Sequence, residues 1–198
     1  FYPDLEGGDL LIVAGDLTSR DTKEQHIDFS MWLAAQNYSH KVVIAGNHDN
    51  RLILLGGPVK APRLDYLLDS GTEFQGLKIW GSPWTKWFPQ VNPKCSAFML
   101  KTEDELAEKW KLIPDDIDVL VTHGPPHGIL DKNINKYSCG SESLTDYVLR
   151  SNRRQLHVFG HIHESYGIEQ NLWGGFSINA SHVNERYEPV NKPIRVIL

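Results

Sequence analysis

Asp16, Asn47, His48, His123, His161 and His163 are the residues of this chain best suited to hold a divalent ion or move a proton. Each follows a short apolar run: Gly15-Asp16, Gly46-Asn47-His48-Asp49, Thr122-His123-Gly124-Pro125-Pro126 and Gly160-His161-Ile162-His163. A glycine before a donor lets the backbone turn sharply and come close to a bound ion. On extended backbone, residues two apart point the same way, so His161 and His163 are expected to face one cavity. Carboxylate, amide oxygen and imidazole without thiolate suit Mn, Fe or Zn, unranked, and argue against a zinc finger or an iron–sulfur site. Taken singly the motifs are weak, because Gly-Asp is a common turn and Asn47-His48-Asp49 reads equally as one. The His161 and His163 pair is stronger, since packing rarely needs two histidines at one strand end. His26, His40, His157 and His182 lack such company and read as surface or structural residues.

The elements that must position these residues are short. Asp9 to Ala14, Lys41 to Ala45, Leu77 to Trp80, Ile117 to Thr122, Leu156 to Phe159 and Pro193 to Leu198 are apolar, β-branched runs closed by Gly, Pro or polar clusters, and read as buried strands. Thr22 with Gln25 forms a capping-box pattern that opens a helix with Ile27, Met31, Ala34 and Ala35 on one face, completing a βαβ unit. Thr102 with Glu105 opens a second helix to Leu112, and a third runs from Ser143 to Arg150. Strands alternating with helices predict an α/β fold, with the late strands, which lack intervening helices, antiparallel. In such sheets ligands collect outside the carboxyl ends of the strands, where all four motifs lie.

With 198 residues and no linker-like stretch, residues 1–198 read as a single domain. Hydrophobic residues at 40% and charged residues at 23% exclude a disordered, collagen-like or bare coiled-coil chain. No apolar run is long enough to span a bilayer, so no membrane partner is expected. A net charge of −5 and the lack of a basic cluster argue against long nucleic acid. Cys95 and Cys139 form no disulfide framework, which fits a reducing, cytoplasmic setting.

In the order Gly15-Asp16, Gly46-Asn47-His48-Asp49, a histidine after a middle strand and Gly160-His161-x-His163, the chain resembles the calcineurin-like metallophosphoesterase superfamily. The strings Thr122-His123-Gly124-Pro125-Pro126, Gly128-Ile129-Leu130-Asp131 and Phe159 to Glu164 are similar to its metallophosphoesterase-domain-containing subgroup. The resemblance implies two mixed β-sheets sandwiched by helices, two divalent ions, and hydrolysis of phosphoesters, with diesters and cyclic nucleotides among the substrates. It implies that Asp16 bridges the ions, that Asn47, His123 and His161 complete one of them, and that His163 belongs to the other. It also implies an Asp-x-His motif at the end of a first strand. No histidine precedes Asp16 and the chain opens on Phe1, so that strand is expected upstream.

His48 is expected to protonate the leaving alkoxide or steady charge on the phosphoryl group. The resemblance places Ser19 where many relatives use an aspartate to orient that histidine, which leaves Asp49 as a candidate for the task, and it matches Arg20 to a phosphate-binding basic residue. His127 and Asp131 are further candidates for substrate choice. Trp80, Trp84, Trp87 and Phe88 read first as anchors of a long loop and second as a stacking surface. The rival readings are a metal-binding regulatory or interaction protein without turnover, and a nuclease of the same superfamily, which the acidic charge disfavours.

Overall fold

The structure is a computed structural model that describes residues 2–57, 61–89, 93–150, 156–170 and 175–198. Strands β1 (Gly8–Ala14), β2 (Tyr38–Ile44) and β3 (Leu64–Tyr66) form one parallel sheet in that order. A second, mixed sheet has six strands. They are β4 (Ser70–Phe74), β5 (Leu77–Ser82), β8 (Val119–Thr122), β9 (Leu156–Phe159), β10 (Gly167–Gln170) and β11 (Phe176–Asn179), in the order β10-β11-β9-β8-β5-β4. Two-residue strands β6 (Thr85–Lys86) and β7 (Met99–Leu100) pair separately.

The two sheets face each other because β2 and β8 are apolar on both sides. Val42 and Ile44 meet Ile79, Val119, Val121, Val158 and Ile178 between the sheets. The alternate residues Val43 and Ala45 point outward to Phe29 and Leu33 of α1 (Lys23–Ala35), and Leu120 points to Leu106, Trp110, Leu144 and Val148 of α3 (Glu103–Trp110) and α4 (Glu142–Arg150). A period of two thus feeds two cores from one strand. Each such fully buried side chain contributes about 1.5–3 kcal/mol. The sandwich expected from the resemblance is present, with helices outside both sheets.

Local chemistry sets the ends. Thr102 and Glu105 make the full reciprocal cap of α3. At α1 only half of the box forms: the Thr22 side chain accepts from the Gln25 N–H, while the Gln25 side chain bonds the Arg20 N–H at 2.8 Å and Ser19 Oγ at 3.0 Å. The unforeseen α2 (Asn50–Leu55) ends on Gly56 in the left-handed conformation.

Four expectations need correction. Helix α1 packs through Phe29 and Leu33, while Ile27 and Met31, expected on its apolar face, are exposed. Residues 193–198 form no strand, although Ile194 and Val196 pack on the inter-sheet core. Ile117 precedes β8 rather than opening it. The late strands are not simply antiparallel, since β9 and β11 run parallel and only β10 reverses. No helix among the described residues is long and apolar enough to cross a membrane.

Candidate metal centre

The carboxyl ends of β1, β2, β8 and β9 bring Asp16, Asn47, His123 and His161 to one place. Ligand atoms of Asp16, His123 and His161 all lie within 4.8 Å of one another. His123 Nε2 stands 2.9 Å from Asn47 Oδ1 and 3.3 Å from Asp16 Oδ1. Asp16 and His161 hold left-handed backbone conformations, φ 52° and 66°, which are unusual for side chains of their size and concentrate at functional sites. His161 and His163 therefore do not share an extended strand. His163 opens a 3-10 turn, and the two imidazoles reach one cavity through the turn between them.

Hydrogen bonds settle which atoms face the centre. His123 Nδ1 lies 3.0 Å from the Ala14 carbonyl, which can only accept, so Nδ1 carries a proton and the ring in its neutral form presents a bare Nε2. The Asn47 amide nitrogen donates to the Cys95 carbonyl at 3.0 Å, which turns Oδ1 inward. Asn47 Oδ1 at 2.9 Å and Asp16 Oδ1 at 3.3 Å both turn toward His123 Nε2, an arrangement that suits a proton on that nitrogen or, with the ring neutral, a cation among the three atoms. An octahedral ion with bonds of about 2.1 Å spaces neighbouring donors about 3 Å apart. The residues present fit a divalent ion.

Titration points the same way. Burial alone would raise the Asp16 carboxyl, but the imidazoles of His123, His48 and His161, with the His48 N–H donating at 3.0 Å, outweigh it and hold Asp16 below the usual carboxylate range. Burial, helped by His123, drives His161 down to about 3, so its lone pair is available at neutral pH. His163 is lowered too, again chiefly by burial.

Space dictates the glycines. A Cβ on Gly15, whose φ is +93°, would fall 2.3 Å from His123 Nδ1, and one on Gly46 would fall 2.3 Å from the Asp16 nitrogen. Asp49 ties the two loops together. It is fully buried and accepts from the N–H groups of Gly46 (2.8 Å), Leu17 (3.0 Å) and Thr18 (3.1 Å) and from the Thr18 hydroxyl (3.2 Å). Burial and the Asp16 charge push its pKa up to about 8, against the pull of those donors.

Asp49 is therefore a clamp and does not orient His48. The His48 Nδ1–H instead donates to the Ser19 carbonyl at 3.1 Å, so the backbone of residue 19 performs the task its side chain lacks. Cys95 Sγ lies 3.5 Å from the same nitrogen.

A cavity of about 400 Å³ opens beside the centre, lined by Phe88, Asn133, Cys139, His161, Ile162, His163, Glu164, Glu185 and Tyr187. Arg20 and His127 are exposed and do not line it. Asp131 is buried and accepts from the Gly140 N–H at 3.0 Å, a structural contact. Trp84 donates to Asp69 at 2.8 Å and lies under the Lys109 ammonium, while Trp80 packs on the α3 and α4 core, so these tryptophans anchor the loop. Of the aromatic stretch, only Phe88 lines the cavity, stacked on His161 with centroids 6.4 Å apart. Tyr187, which no sequence motif marks, lines it too. Both cysteines are free.

A family model described as calcineurin-like phosphoesterase matches residues 2–165. The chain is 36% identical over 219 residues to metallophosphoesterase domain-containing protein 1 of Homo sapiens, covering 96% of this chain and 65% of that protein. It is 34% identical over 221 residues to a Caenorhabditis elegans protein named UPF0046 protein T07D4.2, covering 96% of this chain and 54% of that one. The chain thus spans less than two thirds of the length of these relatives. The crystal structure of TT1561 of Thermus thermophilus superposes with a TM-score of 0.53 at 14% identity, over 88% of this chain and 76% of that one, and shares the fold.

Proposed function

Because this chain belongs to the calcineurin-like phosphoesterase family, we propose that it catalyses metal-dependent hydrolysis of phosphoesters, acting on small diesters and on cyclic nucleotides among them. The observation that supports this most is the convergence of Asp16 Oδ1, Asn47 Oδ1, His123 Nε2 and a His161 nitrogen. We propose that this set would hold one ion of Mn, Fe or Zn, and that Asp16 and His163 would contribute to holding a second. Two such ions would lower the pKa of bound water and polarise the phosphoryl oxygens.

The chain's own groups do the rest. The Ala14 carbonyl keeps the His123 proton off the metal face, and the Cys95 carbonyl keeps the Asn47 amide from turning. His48, held at Nδ1 by the Ser19 carbonyl, in its protonated form offers its Nε2 proton to the leaving oxygen. Tyr187 and Phe88 shield the cavity beside it. A cytoplasmic location with no long nucleic acid as substrate belongs to the same proposal, supported by two unbridged thiols and a net charge of −5.

The test is hydrolysis of bis-p-nitrophenyl phosphate against p-nitrophenyl phosphate by stripped full-length protein, with Mn, Fe and Zn added in turn. Faster turnover of the diester is expected, with two ions bound per chain. Activity on neither ester under any metal would replace hydrolysis with the rival reading of a metal-binding regulatory protein.

A further inference from the structure

Two aromatic rings sit on different imidazoles of the centre and line the same cavity. Phe88 stacks on His161, and Tyr187 meets His163 edge-on, with centroids 5.2 Å apart and an interplanar angle of 85°. The Tyr187 ring also leans on His48 at 6.3 Å, so one ring meets both His48 and His163. It is 59% exposed, so little of its apolar surface serves the core.

The loop that presents Tyr187 is built rather than slack. Asn191 donates its side-chain amide to the Ser181 carbonyl at 2.8 Å, and its own carbonyl accepts from His182 Nδ1 at 2.8 Å. At the tip, Asn184 Oδ1 accepts from the N–H groups of Arg186 (2.9 Å) and Glu188 (3.0 Å), and the Tyr187 N–H bonds the Asn184 carbonyl at 2.9 Å. These bonds hold Tyr187 at φ 61°, a conformation that a bulky residue rarely adopts. An exposed ring kept in an unfavourable backbone state, against two functional histidines, suits a ligand contact better than a packing role. Glu164 and Glu185 line the same cavity, and two carboxylates there disfavour a second phosphate.

We propose that Tyr187 is a specificity-determining residue whose ring, with Phe88 of the same cavity lining, takes an aromatic group esterified to a single phosphate, a nucleobase or aryl group on a monophosphate unit. This rests on the hydrolase reading only in assuming that the phosphate binds at the metal centre. The probes are adenosine 5′-monophosphate and ribose 5-phosphate, titrated against Mn-loaded full-length protein by calorimetry. The nucleotide is expected to bind at least about tenfold tighter, and Tyr187→Ala to narrow that gap by about fivefold or more, since one base–aromatic stack is worth that much. Tyr187→Phe keeps the gap. Tyr187→Gly, whose backbone tolerates the left-handed state, loses discrimination without a lower melting temperature, whereas a merely structural tyrosine would show the reverse.

An equal affinity for both probes in the wild type, or an undiminished gap in Tyr187→Ala, overturns the proposal. A preserved gap in a protein that hydrolyses no ester would sink the hydrolase reading and leave this one standing; turnover without a gap would do the opposite.

Discussion

Replacing Gly46 with alanine adds a methyl group where the centre has no room for one. The new Cβ would lie 2.3 Å from the Asp16 nitrogen, 2.4 Å from Asp16 Oδ1 and 2.6 Å from His123 Cε1. Carbon contacts are comfortable near about 3.5 Å, so backbone and ring must part by about 1 Å. That displacement falls on Asp16 Oδ1 and His123 Nε2, now 3.3 Å apart and both proposed ligands. Overpacking of this kind costs about 1–3 kcal/mol, which in a domain of this size lowers the melting temperature by about 2–12 °C. Displaced ligands should weaken Mn binding by about 10- to 100-fold or more, the range known for groups that orient ligands. Gly76→Ala is the control: its φ is +81° but nothing lies within 4 Å of the added carbon, so it suffers only local strain and keeps the metal. Thermal melts and Mn titration by calorimetry on the two variants separate the effects. Wild-type Mn affinity in Gly46→Ala would refute the proposal that these two loops meet around an ion.

Two further outcomes follow from the same geometry. His48→Ala should cut kcat by about 10²- to 10⁴-fold with metal content unchanged by atomic absorption, and equal loss of metal would make His48 a ligand. His161 has a pKa of about 3 in the folded chain against about 6.5 unfolded, so the native state refuses a proton that the unfolded state accepts. Its contribution to stability is therefore flat above about pH 6.5 and falls by at most about 1.4 kcal/mol per pH unit from there toward about 3. Asp49, pushed up to about 8, has the opposite sign: its stability is present below about pH 4 and is lost as pH rises through 8. The comparison is thus urea midpoints of metal-free wild type and His161→Asn between about pH 7.5 and 5, and parallel curves would contradict the burial-driven shift.

Much of the fold was readable because the second half of β2 and all of β8 and β9 are buried on both faces and so are rich in apolar, β-branched residues. The strands β3, β4 and β10 were not, because Leu64–Tyr66, Ser70–Phe74 and Gly167–Gln170 are half-exposed or exposed and mixed in polarity, and β11 was not, because Phe176–Asn179 alternates apolar with polar residues although it is largely buried. Residues 193–198 show the converse: an apolar run packs on the core without any ladder. Asp16, Asn47, His123 and His161 were legible since each follows a strand end. The support for His48 was not, because a backbone carbonyl at Ser19 has no side-chain signature. Tyr187 escaped for a similar reason, as the turn at Asn184 that aims it reveals itself only in three dimensions.

The donors of the centre come from both sheets: Asp16 and Asn47 follow strands of the smaller one, His123 and His161 strands of the larger. An ion shared by all four would act as a rivet between the two layers, and its binding free energy would count directly toward holding them together. Resistance to heat should then rise and fall with free metal concentration, and a chelator would loosen the sandwich from the end where its strands terminate.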